Sequence, residues 1–154
     1  MATETATATD VSTGTDEWKA GMVGGLAGGL VFGALMSMMM PHIVETAIPG
    51  MYGLPASGTV GWGIHMAHSA VLGVVFAGIV GLRPELGAST GRSVGVGVAY
   101  GVVLWVVLAT FVMPAWVGAM TPMSPPVPDV NPMSLVGHVV YGAVLGGVYA
   151  AVGN

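Results

Sequence analysis

The chain has 154 residues, of which only 6% are charged and 54% are hydrophobic, and its mean hydropathy is +0.83. Ordinary soluble domains carry about 25% charged residues, so this composition argues against a soluble domain and indicates a membrane protein. Three cations, a formal net charge of −4 and the absence of cysteine argue against nucleic-acid binding and exclude a thiolate metal site.

The first 17 residues are acidic and rich in threonine, with no apolar period. They contain Glu4, Asp10, Asp16 and Glu17, which are four of the seven carboxylates in the chain. Such a segment cannot bury enough apolar surface to offset the entropy of ordering it. We therefore predict a disordered, solvated tail over residues 1–17.

Four apolar segments follow, at 18–40, 60–82, 93–113 and 134–152. Each is long enough to cross a hydrocarbon core of about 30 Å as a helix. Pro41 and Pro114 are expected to end or kink the first and third helices, because proline clashes with the carbonyl four residues earlier. The connectors 42–59 and 115–132 are too apolar to be freely solvated and should fold over the end of the bundle. The sequence predicts an all-α bundle of four transmembrane helices.

Residues 19–80 align without a gap with residues 92–153, at an offset of 73. In this alignment 16 of 62 pairs are identical, where composition alone would give roughly 6. The likeness is greatest between the segments that begin at His65 and His138. We interpret the chain as two parallel tandem repeats of a two-helix unit, 18–82 and 92–153, related by an axis along the membrane normal.

Glycines recur at four-residue spacing in the apolar segments. Such ribs allow the backbone of another helix to approach closely in lipid. The predicted helix-packing positions are Gly24, Gly28, Gly73, Gly97, Gly101 and Gly146. The pattern leaves open whether the packing partner is a helix of the same chain or of another subunit.

The three fixed cations predict the orientation of the chain. Lys19 flanks the first segment, and Arg83 and Arg92 lie in the turn between the second and third segments, on the same side of the membrane. By the positive-inside rule this side is cytoplasmic. We expect a multi-pass protein of the cell membrane whose N- and C-termini are both cytoplasmic.

All four histidines, His42, His65, His68 and His138, fall in the outer half under this topology. Four hypotheses account for them. The first is that they form hydrogen bonds between helices, and the second is that they converge, with nearby methionines, as ligands of copper or zinc. The third is that His65 and His138, at matched depth, ligate a haem iron, and the fourth is a role in proton relay or transport.

Enzyme signatures such as HExxH, GxSxG and a phosphate-binding Gly-rich loop are absent from the sequence. The pattern favours a non-enzymatic helix-packing or accessory membrane subunit, surrounded by lipid and joined to a second copy or to a partner subunit. Two alternatives stay open. One is a haem- or metal-binding redox module at the outer face, and the other is a small-solute transporter that acts as an oligomer.

The last segment carries the pattern His-x-x-Tyr-Gly-x-x-Leu-Gly-x-x-Tyr, formed by His138, Tyr141, Gly142, Leu145, Gly146 and Tyr149. This pattern resembles the last helix of small uncharacterised four-span haloarchaeal membrane proteins, some of which carry the label histidine kinase. Their acidic, Thr-rich tails are similar too. The resemblance implies a four-span fold from residue 18 onwards and implies no activity. The sequence has no nucleotide-binding motif that would support a kinase.

Overall fold

The computed structural model describes residues 10–153, and this part of the chain is helical and contains no strand. Four long helices carry the fold: α1 Asp10–Met39, α2 Gly58–Leu82, α3 Thr90–Met120 and α4 Pro132–Val152. All four are long and apolar enough to cross a membrane, α1 over Asp16–Met39. The prediction of an all-α bundle of four membrane-spanning helices is confirmed, and the chain has the structure of a multi-pass membrane protein.

Helix α1 begins before the predicted first span. The chain is helical from Asp10, while residues 1–9 of the predicted tail lie outside the described residues. Extending an existing helix adds a hydrogen bond per residue without a new nucleus, which explains the extension. Lys19 also pairs with Asp16 at 3.2 Å, one turn apart on the helix.

The four helices form an open row rather than a closed square. Helix α1 packs along its length against both α2 and α4, and α3 packs along α4, whereas α2 and α3 share no extended contact. The order across the bundle is therefore α2, α1, α4, α3. The core lies along α1 and α4, where Ala20 and Leu145 are fully enclosed.

Close packing in this row depends on glycine. A Cβ on Gly73 of α2 would overlap the Gly21 carbonyl and lie 2.8 Å from the Gly25 Cα of α1. On the other side, a Cβ on Gly97 of α3 would overlap the Gly142 carbonyl of α4. Side chains at these positions would push the helices apart, so the glycines set how closely the helices approach.

The predicted packing glycines all face helices of the same chain. A Cβ on Gly24 would lie 2.9 Å from the Leu145 carbonyl oxygen, and one on Gly28 would lie 2.7 Å from that of Tyr141. In α3, Gly97 and Gly101 also face α4, at the Gly142 and His138 carbonyls; Gly73 faces α1, and Gly146 faces Ser93 of α3.

The first connector, residues 40–57, is more helical than predicted. After α1 ends, the chain forms a π-helical segment at Ile43–Ala47 and a short turn of helix at Ile48–Gly50. Val44 and Ile48 are buried against the end of the bundle. We call this end, which also carries residues 121–131, the connector end, and the opposite end, which carries the Pro84–Gly87 turn, the turn end.

An end or a kink of helix α3 was expected at Pro114. The helix does not end there but continues to Met120. A π-helical segment at Trp105–Val112 precedes the proline. The carbonyl of Thr110, four residues before Pro114, accepts a hydrogen bond of 2.9 Å from the backbone N–H of Asp129. The second connector therefore supplies the donor that proline removes, and the helix can continue.

Candidate intramembrane ligand site

A cavity of about 350 Å³ lies between the helices at the connector end. Its walls are mainly apolar and come from all four long helices. They include Phe32 and Met36 of α1, Leu72 of α2 and Leu104 of α3, and the first connector closes over them with Met51. The bundle thus encloses an apolar space within the half that carries the histidines, and His65, His68 and His138 line it.

The wall of the cavity also carries polar side chains, which come from α2, the second connector and α4. Those from α2 are His65, His68 and Ser69; those from the second connector and α4 are Asp129, Asn131, Ser134, His138 and Tyr141. Neither the lysine nor the two arginines of the chain line the cavity. Its only fixed charge is therefore the Asp129 carboxylate.

His65 and His138 face each other across the ring of Phe32. The centroid of this ring lies 5.7 Å from that of His65 and 4.7 Å from that of His138, edge-on to both. A notch at Gly137 admits the phenyl ring, since a Cβ there would overlap it. Because both imidazoles contact one side chain, they lie at the same level of the bundle.

Hydrogen bonds to the backbone fix the tautomer of each imidazole. His65 Nε2 donates to the Gly29 carbonyl at 2.8 Å, and His138 Nδ1 donates to the Ser134 carbonyl at 2.7 Å. His65 Nδ1 and His138 Nε2 are then left as acceptors. Among the described side chains, only Ser93 Oγ is both fully enclosed and without a hydrogen-bond partner. The two free ring nitrogens are therefore not sealed off from the cavity.

Two hydroxyl groups of the wall use their protons inside the protein. Tyr141 Oη donates to the Ser69 carbonyl at 2.9 Å, and Ser69 Oγ donates to the His65 carbonyl at 2.8 Å. Their oxygens keep lone pairs but have no proton left to offer. This chain of hydrogen bonds ties α4 to α2 across the bundle.

Aromatic contacts hold the first connector over the cavity. The hydroxyl of Tyr52 lies 2.6 Å from His68 Nε2, and the ring of Tyr52 lies 5.4 Å from that of Trp116 of α3. Tyr52 therefore bridges α2 and α3 at the connector end. His68 is engaged in this bridge and does not hydrogen-bond to His65.

The exposed edge of the cavity lies between α2 and α3. Val71 of α2 and Val112 of α3 both line the cavity, and they are 63% and 42% exposed. On the turn-end side, Tyr100 of α3 bridges the two helices, with its hydroxyl donating to the Leu72 carbonyl at 2.9 Å and its ring 5.5 Å from that of Phe76. The cavity thus has an edge on the surface that would face lipid.

The structure does not bring the four histidines into one ligand set. His42 is exposed and does not line the cavity, whereas the other three histidines do. Over residues 10–153, no three His, Asp or Glu side chains approach closely enough to hold a metal ion. His65 and His138 have the tautomers typical of metal ligands, with one N–H on a carbonyl, but no His, Asp or Glu among the described residues joins them as a third ligand.

Sequence reasoning missed Phe32 and Asp129 as parts of this site. Asp129 is the only acid of the second connector, and that isolation was a usable signal. Phe32 gave none, because its position depends on the notch at Gly137 of another helix.

Comparison of the chain with protein-family models, with curated proteins and with solved structures finds no match. The likeness of the last helix to haloarchaeal four-span proteins stays a prediction.

Proposed function

We propose that the chain is a non-enzymatic integral membrane protein that binds a small, mainly apolar molecule within its four-helix bundle. The observation that carries this proposal is the cavity of about 350 Å³, which all four helices line. Its volume falls in the range of about 300–1,000 Å³ typical of small-molecule sites, and apolar walls with a few grouped polar atoms are typical of them too.

The route of entry in this proposal runs through the lipid. The edge between Val71 and Val112 belongs to helix surfaces that the hydrocarbon core would cover. A lipid-soluble molecule would pass from the bilayer into the cavity without crossing water. The glycine seams serve this function by keeping the other helix pairs in tight contact.

The proposed orientation places the cavity in the outer half of the membrane. Lys19, Arg83 and Arg92 all belong to the turn end, and the positive-inside rule assigns this end to the cytoplasm. Both termini are then cytoplasmic, and the connectors face outward.

The rival functions have less support. An accessory subunit or a homo-oligomer remains a proposal, but the glycines named for such contacts face helices of the same chain, so a partner would have to bind the lipid-facing surface. A zinc or copper module has no group of three His, Asp or Glu ligands among the described residues. A transporter would need a path to the turn end, where Tyr100 and Phe76 bridge the helices.

Quenching of tryptophan fluorescence by 1-bromodecane tests the proposal. Trp116 lines the cavity, so a bromine atom bound there quenches its emission. In phosphatidylcholine nanodiscs we expect a saturable component of quenching in addition to the linear background from probe dissolved in the lipid.

Two variants of α3 provide the comparison. Ala109→Phe fills the cavity, which Ala109 lines, and should remove the saturable component; Val103→Phe adds the same ring on an exposed face and should retain it. Linear quenching that is identical in the wild type and both variants would contradict the proposed function.

A further inference from the structure

We infer that the cavity selects molecules whose apolar body carries a hydrogen-bond donor head, either a hydroxyl group or a protonated amine. This inference rests on the proposed function, and it adds the chemical class of the ligand. It follows from which polar atoms of the wall remain free to bind.

Two polar atoms of the wall are free acceptors. His65 Nδ1 and His138 Nε2 have no protein partner, because each ring spends its N–H on a backbone carbonyl. Both rings contact Phe32, so both border the same part of the cavity. An ester, ether or ketone head placed there would leave both nitrogens unpaired, whereas an O–H or N–H head would satisfy one of them.

The neighbouring hydroxyl groups strengthen this preference. Ser69 and Tyr141 have already given their protons to backbone carbonyls, so towards a ligand their oxygens act only as acceptors. The free donors, which are the Asn131 amide, the Ser134 hydroxyl and the Trp116 indole, belong to the connector end of the cavity. Asn131 is the N-cap residue of α4, and Trp116 lies in the last part of α3. His138 lies further along α4, away from the connector end.

The charge of the wall acts in the same direction. Asp129 lines the cavity and forms no ion pair within residues 10–153, and no lysine or arginine lines the cavity with it. A carboxylate without an ion-pair partner attracts a cation and repels an anion. A protonated amine is therefore favoured over a carboxylate head such as that of a fatty acid.

A series of probes with one brominated body and different heads tests the inference. 1-Bromodecane has no polar head, 10-bromodecan-1-ol and 10-bromodecylamine have donor heads, and methyl 10-bromodecanoate has an acceptor head. Dissociation constants come from the saturable quenching in nanodiscs, expressed as mole fraction in lipid so that partitioning cancels. We expect the alcohol or the amine to bind about five-fold or more tightly than the ester, which matches one hydrogen bond.

Variants identify the groups that recognise the head. His138→Phe should weaken the preference for the alcohol over the ester, because only the acceptor nitrogen of His65 then remains, while 1-bromodecane still binds. His42→Phe, outside the cavity, should change nothing. Asp129→Asn should weaken the amine selectively, because the backbone N–H of Asp129 that bonds Thr110 is retained. If 10-bromodecylamine binds more tightly than 10-bromodecan-1-ol, the ligand is cationic. If the alcohol binds more tightly, the ligand is neutral.

The outcomes separate the two proposals. Equal binding of ester and alcohol, or tighter binding of the ester, while 1-bromodecane still saturates, would overturn the donor-head inference alone. Loss of saturable binding for every probe would overturn the proposed function itself.

Discussion

The two interfaces between the halves of the chain differ sharply. Helix α4 packs closely along α1, whereas α2 and α3 stand apart and leave the cavity edge between them. A two-fold repeat would make these two interfaces equivalent. The bundle therefore has one sealed side and one open side, where the predicted repeat would give two equivalent sides.

Particular side chains account for this difference. At the α1/α4 interface, Gly24 and Gly28 bring the backbones of α1 and α4 close together. In the gapless alignment, Tyr100 of α3 takes the place of Ala27 of α1. The phenol ring of Tyr100 stands between α3 and α2 and bonds the Leu72 carbonyl, so the helices meet through a side chain rather than through their backbones.

The largest expected effect comes from breaking the sealed interface. Gly28→Leu places a side chain against the Tyr141 carbonyl and ring, where a Cβ alone would lie 2.7 Å from the carbonyl oxygen. Overpacking against backbone should lower the free energy of unfolding by about 3 kcal/mol. Thermal unfolding in mild detergent, followed by circular dichroism, measures this loss.

Gly63→Leu is the matched control, since no atom lies within 4 Å of a Cβ at that position. Equal melting temperatures for Gly28→Leu and Gly63→Leu would show that α1 and α4 are not in close contact.

A smaller effect is expected at the open interface. Tyr100→Ala removes both the ring contact with Phe76 and the hydrogen bond to Leu72, and should destabilise the fold by about 2 kcal/mol. Tyr100→Phe removes only the hydrogen bond and should cost about 1 kcal/mol. The same unfolding assay compares the two variants, and an unchanged stability for Tyr100→Ala would mean that Tyr100 does not bridge the helices.

The smallest effect should come from Ser93→Ala, and it should have the opposite sign. Ser93 is fully enclosed and its hydroxyl has no hydrogen-bond partner, while the aligned residue of the first half is the equally enclosed Ala20. Removing an unsatisfied buried hydroxyl should raise stability by up to about 1 kcal/mol. A clear loss of stability in the unfolding assay would indicate that the hydroxyl does have a partner.

The four helices were predictable because the length of an apolar segment is a local property of the sequence, and this length decides whether the segment can cross a bilayer. The sequence could not decide between an end and a kink at Pro114, because the donor that lets α3 continue belongs to Asp129, in a different segment. Proline rules consider only the neighbouring backbone, so they cannot anticipate a donor supplied from elsewhere in the fold.

The candidate site was only partly predictable. The alignment of His65 with His138 predicted equal depth, and both rings do contact Phe32. The helix faces that pack together were not predictable. The glycines of α1 that face Gly73 of α2 are Gly21 and Gly25, and not Gly24, which aligns with Gly97 of α3. The tandem repeat therefore remains an inference from the sequence. His42 was grouped with the other three histidines, but it does not line the cavity, and sequence position alone does not give its direction.

Photolabelling with a lipid-soluble decyl diazirine tests most directly whether the α2/α3 side is open to lipid. The reagent dissolves in the bilayer and marks any residue that it reaches, and mass spectrometry locates the label. We predict label on Met36, which is only 4% exposed but lines the cavity, and none on Leu145, which is 0% exposed and lies at the sealed interface. Label confined to outward-facing residues such as Leu30 and Val103, with Met36 unmarked, would contradict the account.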